Sequence, residues 1–206
     1  MQSLNLETLA DIKRQNWTTK EYLDFLNELK KRGKTPSSEM IIPLPGETEE
    51  TYFKGQKFLM DSNVTPDTYT LMMLCGTELG RDEAIKKYKM KAKYRVLPKQ
   101  FGEYRGEKIF EIEKICAETN TMSYQSYLNC RNYSFIVKLL NHRIFSPIYK
   151  LTQQFEISWY DLTMTVNKVI QDEDFKGKLK DLYKNHSPVD ERSIYFFKKY
   201  SCKCFP

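Results

Sequence analysis

Gln2, Arg14 and Glu39 carry side chains of the types that could recognise a small polar ligand. Arg14 carries a planar guanidinium that can fork onto a carboxylate. Glu39 can accept hydrogen bonds from hydroxyls or balance a positive charge, and Gln2 offers both a donor and an acceptor. Each also has a plainer reading, since an arginine near a helix C-terminus commonly caps carbonyls and a glutamate entering a strand is often surface. Covalent chemistry has less support. The two histidines, His142 and His186, lie near no cysteine or carboxylate pattern that would make a catalytic dyad or a zinc site. The five cysteines, Cys75, Cys116, Cys130, Cys202 and Cys204, lack the spacing of an iron–sulfur cluster motif. Cys202-Lys-Cys204 could contribute to a metal site, but two ligands are too few without help.

The elements that must position these groups alternate between helix and strand over the first hundred residues. Leu6, Leu9 and Ile12 form a helical stripe within Leu4 to Arg14. Thr18-Thr-Lys-Glu21 reads as a cap for a second helix that ends at Gly33. Glu39 to Leu44 reads as a short buried strand, Pro45-Gly46 as a turn, and Glu47 to Leu59 as a helix with acidic residues at its positive end. Val64-Thr-Pro-Asp67 leads to a second strand, Thr68 to Cys75. Strand, helix and strand at this spacing describe parallel βα units.

Two or three such strands cannot close a barrel, which takes eight units and about 250 residues, so the unit is expected to need a partner carrying the missing strands. Met1 accordingly reads as an internal methionine or a late start. Beyond residue 100 the pattern changes to aromatic-rich amphipathic helices at Tyr124–Leu140, Ile144–Phe155, Tyr160–Ile170 and Phe175–Tyr183. The division expected is therefore residues 1–100 as βα units and 101–206 as a mostly helical extension.

Composition narrows the class further. The longest apolar runs, Met40–Leu44 and Leu71–Cys75, are far shorter than the roughly 20 residues that span a bilayer. With no secretory leader and an odd, scattered set of cysteines, a reducing cytoplasm is expected. The net charge of +6 is mostly lysine. Its densest stretch, Lys86 to Arg95, interleaves Tyr88 and Tyr94 as a phosphate-following surface would. No recognised nucleic-acid pattern accompanies it, so a solvated connecting segment is the expectation.

Five features then occur in one order: Gln2-Ser3, Arg14 twelve residues after Gln2, Glu39 twenty-five residues further, Leu44-Pro-Gly-Glu-Thr48 and Gly76-Thr-Glu-Leu79. Over residues 1 to about 115 this arrangement resembles the later strand regions of radical SAM enzymes, in particular the cobalamin-binding group and relatives of oxygen-independent coproporphyrinogen oxidase. The resemblance implies a partial (βα) TIM-like barrel followed by a helical extension. It implies an S-adenosylmethionine pocket at Gln2, Arg14, Glu39, Leu44 and Thr77. The Cys-x-x-x-Cys-x-x-Cys loop that binds the [4Fe–4S] cluster in that family is not in this sequence, so the cluster, and cobalamin if it is used, belong to a full-length enzyme. The alternative is a non-catalytic half-barrel that binds or docks.

Overall fold

The computed structural model describes residues 3–14, 17–34 and 36–174. Two short helices come first, α1 (Leu6–Asp11) and α2 (Thr19–Lys31). Thr18 caps α2 as its sequence suggests: the hydroxyl accepts from the Glu21 backbone N–H, and the Glu21 carboxylate accepts from the Thr18 N–H at 2.8 Å. Strand β1 (Ser37–Ile42), helix α3 (Glu49–Asp61) and strand β2 (Thr65–Thr70) then form a parallel β–α–β unit, with Glu39 opposite Asp67 and Ile41 opposite Tyr69. After a turn of 3-10 helix (Glu78–Gly80) and the short helix α4 (Asp82–Lys87), the chain enters a long antiparallel hairpin. Its strands are β3 (Lys91–Tyr104) and β4 (Glu107–Glu118).

The hairpin joins the parallel pair through the residues that continue β2. Met73 N–H donates to Lys114 O and Cys116 N–H to Leu71 O, both at 2.9 Å, with Met72 opposite Ile115. Helices α5 (Tyr124–Leu140), α6 (Ser146–Gln154) and α7 (Trp159–Gln171) complete the described chain. The result is a mixed α/β fold.

One face of the parallel pair is covered by α3, α5 and α7. Met40 and Ile42 point into this layer and are essentially fully buried beside Tyr52, Leu59, Tyr133 and Trp159. Burial of each aliphatic side chain contributes about 1.5–3 kcal/mol. Tyr52 and Tyr133 are the largest fully buried side chains, and each buried tyrosine hydroxyl finds a partner: Tyr52 with Thr68 at 2.9 Å, Tyr127 with Thr70 at 3.0 Å, Tyr133 with Thr163 at 2.8 Å. Arg131 donates to Thr68 O at 2.9 Å, which covers the stretch of β2 that the hairpin does not reach. A second, smaller cluster lies at the C-terminal ends of the strands, formed by Leu44, Leu71, Met73, Tyr88, Met90 and Cys116.

Residue 100 falls inside β3, and the helices of the C-terminal part begin only after Glu118. The reason is local: Arg105 (φ 52°) and Gly106 (φ 82°) form a two-residue reversal of the kind that matches strand twist, and the flanking residues pair across it. The helices beyond it share the core of the parallel pair instead of forming a separate body. The run Leu71–Cys75 is not uniformly buried: Leu71 and Met73 face the core while Met72 and Leu74 are exposed, the period of a strand with one covered face. The helix expected at Phe175–Tyr183 lies outside the described residues.

The central position of Tyr133 gives a direct check. Tyr133→Ala leaves an aromatic-sized cavity and is expected to lower unfolding free energy by about 3–5 kcal/mol in a denaturant titration. Tyr133→Phe should cost under about 1.5 kcal/mol, because Thr163 keeps its bond to Tyr160 O. Equal losses would show that the hydroxyl pair, and not the ring, holds this layer.

Candidate functional site

The Leu44-Pro-Gly-Glu-Thr48 turn is the organising piece at the C-terminal end of β1. Leu44 is buried in the smaller cluster, so it anchors the turn from below. Gly46 sits at φ 81°, and a Cβ there would lie 3.2 Å from Thr8 Oγ1 and 3.3 Å from Thr8 Cα, so both the conformation and the contact with α1 call for glycine. Its carbonyl accepts from Asn5 Nδ2 at 3.1 Å. Thr48 caps α3, accepting from the Thr51 N–H at 3.1 Å.

Glu47 lies within the turn and is 1% exposed. Its carboxylate accepts hydrogen bonds from the hydroxyls of Ser3 and Thr51, and its carbonyl accepts from Thr121 Oγ1 at 2.8 Å. Three segments distant in sequence are thereby tied to one residue. Burial pushes the Glu47 carboxyl above its ordinary value, and the two hydroxyl bonds offset part of that rise.

Beside the turn opens a polar cleft of about 540 Å³ bordered by Asn5, Asp11, Gly46, Thr51, Lys87 and Thr121. On its wall Lys87 Nζ donates to Tyr88 Oη at 2.8 Å, and Tyr88 Oη donates to Asp11 Oδ1 at 3.1 Å. The bond to Tyr88 holds the Lys87 ammonium above the ordinary lysine range. Asp11, Lys87 and Tyr88 have no spacing in the sequence that marks them as a group. Only the packing of α4 against α1 brings them together.

The five expected ligand contacts fall out as follows. Gln2 lies outside the described residues. Arg14 follows the left-handed Lys13 (φ 53°) at the end of α1, and its backbone N–H, not its guanidinium, closes that helix onto Leu9 O at 2.9 Å. The exposed guanidinium makes no hydrogen bond or ion pair among the described residues, and the same holds for the exposed Glu39 carboxylate on β1. Thr77 is committed to its own turn: Oγ1 donates to Leu74 O at 2.7 Å and accepts from Gly80 N–H at 3.2 Å. The neighbours of Arg14 and Thr77 meet, because Lys13 pairs with Glu78 at 2.5 Å. Arg14, Leu44 and Thr77 thus share one end of the sheet, while Glu39 lies further down the face that α3 does not cover, opposite Asp67.

The cysteines do not converge. Cys75 is exposed, and Cys116 and Cys130 are buried in different clusters. Burial pushes the Cys116 thiol up to about 11 and the Cys130 thiol further still, which disfavours the thiolates that metal ligation needs. These three do not fit a [4Fe–4S] cluster. The lysine-rich stretch is largely engaged within the protein: Lys91 pairs with Glu118, Arg95 with Glu113, and Lys93 lies over the Tyr124 ring at 4.6 Å. Cys202, Cys204 and His186 lie outside the described residues. No protein-family model matches the chain, and no curated protein is similar to it.

Glu47 predicts a pH signature. Its folded-state value stands above the ordinary 4.5, so its contribution to stability is complete below that value and is lost as pH rises through the raised folded value. Glu47→Gln removes this titration. The stability of the variant relative to the native chain should rise between pH 4 and pH 7, read as the difference between paired thermal melts. A difference that stays flat over that range would mean that Glu47 is not held in its buried protonatable state.

Proposed function

We propose that this chain is the C-terminal portion of a radical SAM enzyme and forms part of the wall of its S-adenosylmethionine pocket. The observation that carries the reading is the unpaired outer edge of β1. Among the described residues β1 pairs only with β2, and the face bearing Glu39 and Tyr69 is covered only toward the C-terminal strand ends, where Ile41 and Leu71 pack with Ile12 and the α4 residues Ala84 and Ile85. An open outer edge on a parallel β–α–β unit is what the barrel reading needs on the side of the preceding strands. The order and spacing of Gln2, Arg14, Glu39, the Leu-Pro-Gly-Glu-Thr turn and Gly76-Thr-Glu-Leu79 support the choice of family in this reading.

In this reading the residues of the chain bind and orient. Arg14, with its guanidinium uncommitted, forks onto the cofactor carboxylate, and Glu39 accepts from ribose hydroxyls. Leu44 and Thr77 act indirectly. Leu44 fixes the turn through the core, and Thr77 fixes the loop after β2, where a Cβ on Gly80 would come within 2.1 Å of Leu74 O. The cluster that starts radical chemistry, when bound, reductively cleaves S-adenosylmethionine, and its ligands would come from a separate N-terminal half. The polar cleft beside Gly46 is a second surface at the same end of the sheet, where substrate-side groups would be at hand.

The test is reconstitution. The chain is mixed anaerobically with an N-terminal half-barrel carrying Cys-x-x-x-Cys-x-x-Cys, loaded with iron and sulfide, and 5′-deoxyadenosine is measured after reduction. The reading expects product only from the mixture, and Arg14→Ala or Glu39→Ala should weaken S-adenosylmethionine binding roughly tenfold or more, the loss of one charge-assisted hydrogen bond. Product that is indifferent to both substitutions, or no association of the halves, would contradict it.

A further inference from the structure

Between the C-terminal ends of α3 and α5 and the start of β2 lies a cavity of about 230 Å³, at the opposite end of the parallel pair from the Leu44 turn. Its floor is apolar: Met60, Val64 and Trp159 are buried in the main core, and Leu140 and Tyr149 pack against it. The Tyr149 ring meets Trp159 edge-on at 5.1 Å, so two aromatic side chains border one small space. Among the described residues no carboxylate, lysine or arginine lines it. The volume falls short of the roughly 300 Å³ and more that drug-sized ligands occupy, and it suits a single ring with one substituent.

The hydrogen bonds at the mouth separate spent acceptors from remaining donors. Trp159 Nε1–H can only donate, and it donates to Asn141 Oδ1 at 3.3 Å, which orients the amide and leaves Nδ2 as its other polar group. Tyr149 Oη donates to Asn63 Oδ1 at 3.3 Å and leaves that Nδ2 likewise. His142 Nδ1 accepts from the Ile144 N–H at 3.4 Å, so the neutral ring carries its proton on Nε2. All three side chains border the cavity, and the groups left over are donors with no acceptor among the described residues. In the larger cleft beside Gly46, by contrast, Asn5, Thr51, Tyr88 and Thr121 spend their polar groups on neighbouring residues.

We propose that this cavity binds a small uncharged aromatic carbonyl compound, with its ring against Trp159 and Tyr149 and its oxygen accepting from the donors of Asn63, Asn141 and His142. Both signs of charge are disfavoured. A carboxylate would sit beside the C-termini of α3 and α5, the negative ends of their dipoles. An ammonium group would face side-chain donors, and the nearby carbonyls Met60 O and Leu139 O already accept from the Asn63 and His142 N–H groups. The inference stands apart from the barrel reading, because the cavity lies at the other end of the strands.

Benzamide is the probe, titrated into the full isotope-labelled chain while the two tryptophan indole N–H signals are followed by NMR and assigned with Trp17→Phe. The proposal expects a saturable shift of the Trp159 signal, an unmoved Trp17 signal and a Kd on the order of 1 mM, in keeping with so few ligand atoms. Asn141→Asp and Asn63→Asp each keep the acceptor that the indole or the tyrosine needs and remove one donor, so each should weaken benzamide binding roughly tenfold. Benzoate should bind more weakly than benzamide, and benzylamine, which has no acceptor, should not bind. Absence of a saturable shift at Trp159 up to about 20 mM benzamide would overturn the proposal. So would benzylamine or benzoate binding as tightly as benzamide, or an affinity unchanged in both variants, since the donors would then play no part in recognition.

Discussion

The parallel pair β1–β2 is buried along the whole of one face and, on the other, only at its C-terminal end, and the placement of the candidate groups follows from that asymmetry. On the covered face Met40, Ile42 and Thr70 meet the tyrosine-rich layer of α3, α5 and α7. On the opposite face Ile41 and Leu71 are closed over by the cluster around Leu44, Tyr88 and Met90, whereas Glu39, nearer the other end, and Tyr69, across from Ile41, remain open. Among the described residues the outer edge of β1 has no strand beside it, so its outward backbone groups are left unpaired by the sheet.

Rigidity is concentrated where that open face meets the strand ends. Glu47 joins Ser3, Thr51 and, through its carbonyl, Thr121, so the start of the chain, the first turn of α3 and the entry to α5 converge on one buried carboxyl group. A buried acid with two hydroxyl donors costs desolvation, and it is retained here at a turn that sets the position of α1 and its flanking Arg14. Among the described residues the Arg14 guanidinium and the Glu39 carboxylate make no hydrogen bond or ion pair, and the Arg14 backbone is held by its N–H bond to Leu9 O at 2.9 Å.

Much of this architecture was legible from local pattern. The Thr18–Glu21 capping box, the Gly46 turn, the helix after Thr48 and the span Tyr124–Leu140 follow from caps, glycine and helical period, each of which acts within a few residues. The hairpin was not legible as such. Its turn residues, Arg105 and Gly106, are weaker signals than Asn-Gly, and its aromatic content resembles that of the helices that follow. The site divides in the same way. Arg14 and Glu39 could be singled out by type and spacing, while the burial of Glu47 and the Asp11–Tyr88–Lys87 chain depend on contacts between residues more than forty positions apart. Thr77 illustrates the limit from the other side, since a conspicuous motif residue proves to spend its hydroxyl on its own turn.

The open edge of β1 can be measured directly by amide exchange at single-residue resolution. Thr65 N–H donates to Pro36 O and Leu71 N–H to Ile42 O, so the even-numbered residues of β1 pair with β2 and the amides of Glu39 and Ile41 face outward. The account predicts fast exchange at Glu39 and Ile41 beside slow exchange at Met40 and Ile42 in the chain alone, and protection of all four once an N-terminal half-barrel is added. Slow exchange at Glu39 and Ile41 in the chain alone would contradict it, because the edge on which the half-barrel reading rests would already be closed.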